Sequence, residues 1–220
     1  MSFGIRFEAW GKYALFSRPE MKTERVSYDL ITPSAARGLI EAVYWHPGMK
    51  WVIDSIYVCN PIRFTNIRRN EVSQKISASN VREVMNGKNA PLYLNASELI
   101  QQRASLVLTD VRYIISAHFE MTKKASAEDT PDKFYAMTCE RLKGGQHFSQ
   151  PYFGCREFPA NVRLFEGALP PVPEELTGRQ ELGYMLYDMD YSDPGDIRPM
   201  FFRAALVDGM LDLKDCGVVS

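Results

Sequence analysis

Three histidines, a tyrosine near a helix end and a glycine pair flanked by cations carry the chemistry this 220-residue sequence can offer. The histidines are His46, His118 and His147. Imidazole changes charge near neutral pH and so gives or takes protons in acid–base steps. A strand histidine bonded to a neighbour is the ordinary structural use of the same residue. Tyr44 offers a phenol that can donate a hydrogen bond or relay a proton, or simply a ring packed on the core with its hydroxyl in water. The stretch Arg141-Leu142-Lys143-Gly144-Gly145 has two readings as well. Glycines let a backbone approach phosphates while neighbouring cations neutralise them. A Gly-Gly after a helix is also an ordinary C-cap.

The elements that must position these groups are legible from periodicity. Thr32 is a natural N-cap and Pro33 suits the first helical position, although Ala35 leaves the capping box incomplete. Ala36, Leu39, Ile40 and Val43 then form one apolar face. Arg37, Glu41 and Tyr44 make a second stripe beside it, and Pro47-Gly48 stops the helix, which puts Tyr44 on its last turn. Residues 106–121 alternate as a long strand. Val111, Tyr113, Ile115, Ala117, Phe119 and Met121 take one face, while Arg112, Ile114, Ser116, His118 and Glu120 take the other. Thr130-Pro131 caps a second helix with Tyr135, Thr138, Cys139 and Leu142 on a shared face, ended by Gly144-Gly145.

Ile5, Phe7 and Ala9 alternate with polar neighbours as an N-terminal strand. Gly11-Lys12 then reads as a turn and residues 13–16 as a second short strand. Residues 51–59 are β-branched and aromatic, with Pro61 as their limit. Residues 62–104 are polar and read as an insertion, with short helices near 80–85 and 96–102. Residues 151–158 read as a short strand. The order strand, helix, strand, insertion, strand, helix, strand predicts an α+β fold, a ferredoxin-like (RRM-like) βαββαβ domain with an antiparallel sheet and two helices on one face. After a linker with Pro170, Pro171 and Pro173, residues 182–189, 200–207 and 210–213 predict a small C-terminal antiparallel β subdomain. The division is therefore 1–165, with its insertion at about 62–104, and 166–220.

Forty-five per cent hydrophobic and 24% charged residues describe an ordinary soluble chain. A net charge of −1 hides an uneven distribution. Arg141, Lys143 and Arg156 face no acid between residues 141 and 156, whereas residues 166–196 hold eight acids and one base, Arg179. That asymmetry permits a basic surface on a near-neutral protein. Cys59, Cys139, Cys155 and Cys216 form no C-x-x-C pair, so no zinc site is expected and reduced thiols in a cytoplasmic protein fit better. No signal-peptide core or membrane-spanning run is expected.

The stretch SYDLITPSAARGLIEAVYWHP closely resembles the "Cas five" family of CRISPR-associated proteins in its type I-C (Dvulg) form. Residues 13–16, the His118-Phe119 strand, Arg141–Gly145, Gly154-Cys155-Arg156-Glu157 and Leu182-Gly183-Tyr184-Met185 extend the resemblance over most of the chain. It implies a metal-independent endoribonuclease, without cofactor, that cuts CRISPR repeat hairpins in precursor crRNA. The 2′-hydroxyl would attack the adjacent phosphate, leaving a 2′,3′-cyclic phosphate and a 5′-hydroxyl. The resemblance also implies that the product stays bound in an interference complex with backbone and large subunits.

The resemblance places the catalytic tyrosine on Tyr44 and the catalytic histidine on His118. It also implies a lysine beside that histidine, where this chain has Ser116 and Ala117. His46, Lys143 and His147 are the candidate replacements. RNA contacts are expected from Lys22, Arg25, Arg68, Arg69, Arg141, Lys143, Gly144, Gly145 and Arg156. A non-catalytic RNA-binding assembly subunit, and a general binder of nucleic acid including duplex DNA, are the other readings.

Overall fold

The computed structural model describes residues 4–21 and 23–219. The chain runs β1 (Gly4–Ala14), β2 (Arg25–Val26), α1 (Pro33–Val43), β3 (Met49–Val58), β4 (Phe64–Val72), α2 (Ala78–Met85), α3 (Ala96–Leu99), β5 (Ile100–Met121), α4 (Pro131–Gly144) and β6 (Asn161–Leu164). A short 3-10 turn at Glu174–Leu176 precedes β7 (Arg179–Asp190), β8 (Arg198–Val207), β9 (Met210–Asp212) and β10 (Val218–Val219). All ten strands join one sheet, ordered β10-β8-β9-β3-β5-β1-β6, with β2 and β4 also on β5 and β7 on β8. Every named pairing is antiparallel except β2 with β5. This is a mixed α/β fold on a largely antiparallel sheet.

The 22-residue β5 is the axis of the sheet. Its N-terminal half pairs with β4, from Phe64↔Leu108 to Val72↔Ile100. Its C-terminal half runs between β1 and β3. Between the two partners sits Asp110 at φ 49, a conformation that aspartate tolerates better than most residues. Helix α1 lays Ala36, Leu39, Ile40 and Val43 on the core, as the apolar periodicity predicts, and Thr32 Oγ1 accepts from Ala35 N at 3.3 Å.

Several local expectations change. No turn interrupts β1 at Gly11: a Cβ there would sit 2.9 Å from the Phe153 ring, so the glycine admits a close neighbour instead. Residues 100–104 belong to β5, because pairing with β4 satisfies their backbone groups in place of a continued helix. The predicted insertion is thus a β4–β5 arm tipped by α2 and α3, neither of which buries a residue. Residues 151–158 form no strand beyond an isolated Tyr152↔Pro159 bridge. Gly154 there adopts φ +76, and a Cβ on it would collide with the Leu15 carbonyl oxygen. The strand of this region is β6, four residues long and too short to announce itself by periodicity. The C-terminal strands match their predicted places, and β9 joins them to β3 without a break in the sheet.

The register of α4 also differs. Phe134, Thr138 and Leu142 are its buried residues, while Tyr135 is 39% exposed. Phe134 wins because its ring meets Phe119 and Tyr44, each at 6.1 Å between centroids. Phe134→Ala is expected to lower unfolding stability by about 3–5 kcal/mol, and Tyr135→Ala by about 1 kcal/mol or less. Urea melts of the two variants check which residue carries the helix–sheet contact.

Candidate active site on the outer sheet face

Period-two alternation along β5 sends Ala117 and Phe119 into the core under the helices and turns Ser116 and His118 to the other face. Opposite them, β3 carries a bulge. Val52 pairs with His118 and Ile53 with Ala117, then the register shifts and Ser55 pairs with Ser116. The residue left over is Asp54, whose backbone oxygen accepts from Leu213 N at 3.0 Å. A bulge re-aims a side chain in this way. Asp54 Oδ1 lies 2.8 Å from His118 Nδ1, with both side chains about three-quarters buried, at 22% and 25% exposure. A carboxylate accepts only, so Nδ1 carries the proton and donates it to Asp54. In the neutral imidazole Nε2 then carries the lone pair, the state a general base requires.

On its other side His118 pairs with Gly4 of β1, where a Cβ would meet nothing within 4 Å among the described residues. Two residues on, Arg6 stands opposite Ser116 on the same face. Arg6, Asp54, Ser116, Tyr135, Phe165 and Glu166 line one pocket of about 360 Å³. A larger groove of about 600 Å³ runs along α1 beside Trp45, Phe148 and Tyr152, but its lining has one acid, Glu41, and no basic residue.

Further along the outer face Glu8 is 1% exposed and accepts from Arg112 Nε and Arg163 Nε, each at 2.5 Å. Burial pushes the Glu8 carboxyl up, yet the two guanidiniums outweigh it and hold the group below its ordinary range. The same bond raises Arg112 above its own.

Tyr44 is on the opposite side of the sheet. It is the C-cap of α1, one residue past the helix, extended and 8% exposed. Its carbonyl accepts from Trp51 Nε1 at 3.0 Å, and the Arg141 guanidinium sits 5.0 Å from its ring centroid. Burial raises the phenol above its ordinary value, with the Arg141 charge acting against it and Asp129 adding to it. Phe119 packs toward this junction through Trp51 and Phe134, so its neighbour His118 necessarily points away. Tyr44 and His118 are therefore not brought together.

His46 Nδ1 accepts from Gly48 N at 3.0 Å and its ring lies 5.1 Å from Phe134, which ties it into the turn that ends α1. His147 is exposed in the loop after α4. Lys143 reaches the rim of the pocket but pairs with Glu166 at 3.3 Å. Arg141 Nη1 donates to Val43 O at 2.9 Å and so clamps α4 to α1. Gly145, at φ 63, is the C-cap of α4. Arg25 pairs with Glu71 at 3.3 Å, and Arg69 pairs with Glu157 and donates to Ser105 Oγ at 3.0 Å. Arg68 and Arg156 are exposed, without an ion pair among the described residues. Lys22 lies outside the described residues. Sequence reasoning passed over Asp54 and Arg6. The signal for Asp54 was there, as the one carboxylate inside the apolar strand WVIDSIYV. Among the described residues no group of three or more His, Cys, Asp or Glu is placed to hold a metal ion, and no helix is long and apolar enough to cross a membrane.

A histidine held by a bulged carboxylate on one face of an antiparallel sheet is a candidate acid–base site on a mixed α/β scaffold. The family profile described as CRISPR-associated protein (Cas_Cas5), of the Cas5d kind, matches residues 4–214, and the chain belongs to that family. It is 47% identical over 217 residues to the "CRISPR pre-crRNA endoribonuclease Cas5d" of Mannheimia succiniciproducens, covering 97% of this chain and 96% of the relative. It is 35% identical over 226 residues to the protein of that name from Thermus thermophilus, covering 95% and 90%. A solved structure titled "Crystal Structure of CRISPR-associated Protein" superposes with a TM-score of 0.70 at 20% identity, over 99% of this chain and 96% of the other.

The lowered Glu8 carboxyl gives a pH prediction. Its contribution to stability is full above about pH 5 and is lost as pH falls below the ordinary glutamate range near 4.3, through the folded-state value. Glu8→Gln is expected to cost about 2 kcal/mol at pH 7, and the gap from the parent should close toward pH 3. Denaturant melts between pH 3 and 8 check it; a gap constant with pH would count against the paired carboxylate.

Proposed function

We propose that the chain is a CRISPR pre-crRNA endoribonuclease, cutting the repeat hairpin without a metal ion and keeping the product as a crRNA-binding subunit of a type I-C interference complex in the cytoplasm. Two relatives that cover nearly the whole chain carry that activity in their names, and the Asp54–His118 pair supplies the acid–base group the chemistry needs. The pair is the single observation that carries the reading to a site. The scaffold is read as ferredoxin-like: β1, β3, β5 and β6 stand in the order β3-β5-β1-β6, with α1 following β1 and α4 following β5. Residues 1–165 form that unit, and 166–220 are a C-terminal β addition.

In the proposed step His118 Nε2 takes the proton of the ribose 2′-hydroxyl. The 2′-oxygen attacks phosphorus and the bond to the 5′-oxygen breaks, leaving a cyclic phosphate and a 5′-hydroxyl that takes its proton from water. Asp54 holds the imidazole in the required tautomer and faces the imidazolium that forms. Tyr44 closes the junction of α1, α4 and Trp51, and its ring sits on the far side of the sheet from this proton transfer. The hairpin is held by shape and phosphate contacts rather than by base reading alone.

The test is single-turnover cleavage of the cognate repeat RNA in EDTA. The parent is expected to cut. A substrate with 2′-deoxyribose at the scissile position should not react. His118→Ala should lose at least about 100-fold in rate while still binding RNA. Tyr44→Phe should stay within about tenfold of the parent. An equal collapse of Tyr44→Phe and His118→Ala would place the scissile phosphate against Tyr44 instead. Tight binding by a parent that never cuts would make the chain an assembly subunit.

A further inference from the structure

In-line attack on a phosphodiester builds negative charge on the two non-bridging oxygens as phosphorus becomes five-coordinate. A site with only Asp54 and His118 has no fixed cation to meet it, and the position before His118 is the apolar Ala117, directed into the core. The cations near the site divide sharply by what already holds them. Arg112 and Arg163 are both spent on the buried Glu8. Lys143 is paired with Glu166 at the pocket rim. His46 and Arg141 lie on the helix side, each engaged with backbone. Arg6 has no ion-pair partner among the described residues, and its guanidinium rests over the Phe165 ring at 5.6 Å from the centroid. Lys50 on β3, opposite Glu120, is likewise without an ion pair among the described residues but lines a different cavity, whereas Arg6 lines this one.

Its position also fits. Arg6 pairs with Ser116, and His118 is the diagonal neighbour on the same face of the β1–β5 ladder. Diagonal positions are about 7–8 Å apart, within the span of a long side chain. Gly4, directly opposite His118, puts no side chain in the gap. Arg6 and Asp54 line the same pocket. We propose that Arg6 is the cation of this site, binding the scissile phosphate against His118 and stabilising the charge of its phosphorane through guanidinium N–H donors. A planar, permanently charged fork suits two phosphate oxygens at once, and Phe165 holds its plane without neutralising it.

This rests on the endoribonuclease reading and on His118 as its proton-transfer group, and the experiment separates the two. Arg6→Gln, Arg6→Lys and Arg6→Ala are compared with His118→Ala in single-turnover cleavage at saturating repeat RNA, with dissociation constants measured alongside. Arg6→Gln should cut about 100-fold more slowly than the parent, as loss of a transition-state donor does, with a much smaller change in RNA affinity. Arg6→Lys should recover part of that rate, since it restores the charge without the fork. Added guanidinium should speed Arg6→Ala and leave His118→Ala unchanged, a rescue that a merely structural arginine would not give. If Arg6→Gln cuts within about threefold of the parent while His118→Ala is inactive, Arg6 is not the cation and the site reading survives. If His118→Ala cuts like the parent, the site reading itself falls. Should Arg6→Gln fail to fold, Arg6→Lys and the guanidinium response decide the matter, and a parent-like Arg6→Lys rate without rescue of Arg6→Ala overturns the proposal.

Discussion

The two-residue period of β5 constrains everything built around it. A strand flanked by β1 on one side and β3 on the other can offer its core only every second residue. Tyr113, Ile115, Ala117 and Phe119 fill that role beneath α1 and α4. Ser116 and His118 are then excluded from the core by geometry, whatever their chemistry. A shift of one residue in either ladder would bury the imidazole and expose Phe119, so the register of the site and the packing of the core are a single fact. The bulge at Asp54 depends on the same ladder. With the β3 residues on both sides pinned to β5, the extra residue has nowhere to go but outward, toward His118.

The helix layer is held by a different set of contacts. Phe134 joins Phe119 of the sheet to Tyr44 at the end of α1, and Trp51 donates to the Tyr44 carbonyl from β3. Arg141 crosses from α4 to the last carbonyl of α1 and covers the Tyr44 ring. An arginine in that place satisfies a helix-end carbonyl that would otherwise lack a partner. This explains why a tyrosine, rather than a smaller residue, stands at the C-cap. Its ring is a surface on which two helices and a strand close, and its burial raises the phenol above its ordinary range.

Much of this was legible in the sequence where the physics was local. Thr32-Pro33 and Thr130-Pro131 announced both long helices, and the alternation of residues 111–121 assigned those side chains to their faces. What was not legible depended on partners distant in the chain. Gly11 reads as a turn until Phe153 is seen against it. Tyr135 and Phe134 are both aromatic and adjacent in the sequence, and the Phe119 ring chooses between them. Arg6 looks like a solvated charge, because a cross-strand diagonal leaves no periodic signature, and the bulge that turns Asp54 toward His118 leaves none either, although a carboxylate inside an apolar strand does stand out. The separation of Tyr44 from His118 could not be read from spacing at all, since 73 residues and a sheet lie between them.

Net charge was the least informative number, and the outer face explains why. Glu8 binds two arginines, so that cluster keeps one positive charge in excess while its carboxylate stays out of water. Lys143 and Glu166 cancel at the rim. Asp54 is matched by a histidine that becomes cationic only when it accepts a proton. Arg6 adds a charge with no ion-pair partner among the described residues, in a pocket whose acids Asp54 and Glu166 are held by His118 and Lys143. A polyanion approaching a chain of net charge −1 meets that local field, not the average. The acids of the C-terminal β7–β8 hairpin offset it elsewhere on the molecule. Attraction at the site therefore needs no basic protein, only an arrangement in which acids near the pocket are already spent on other cations.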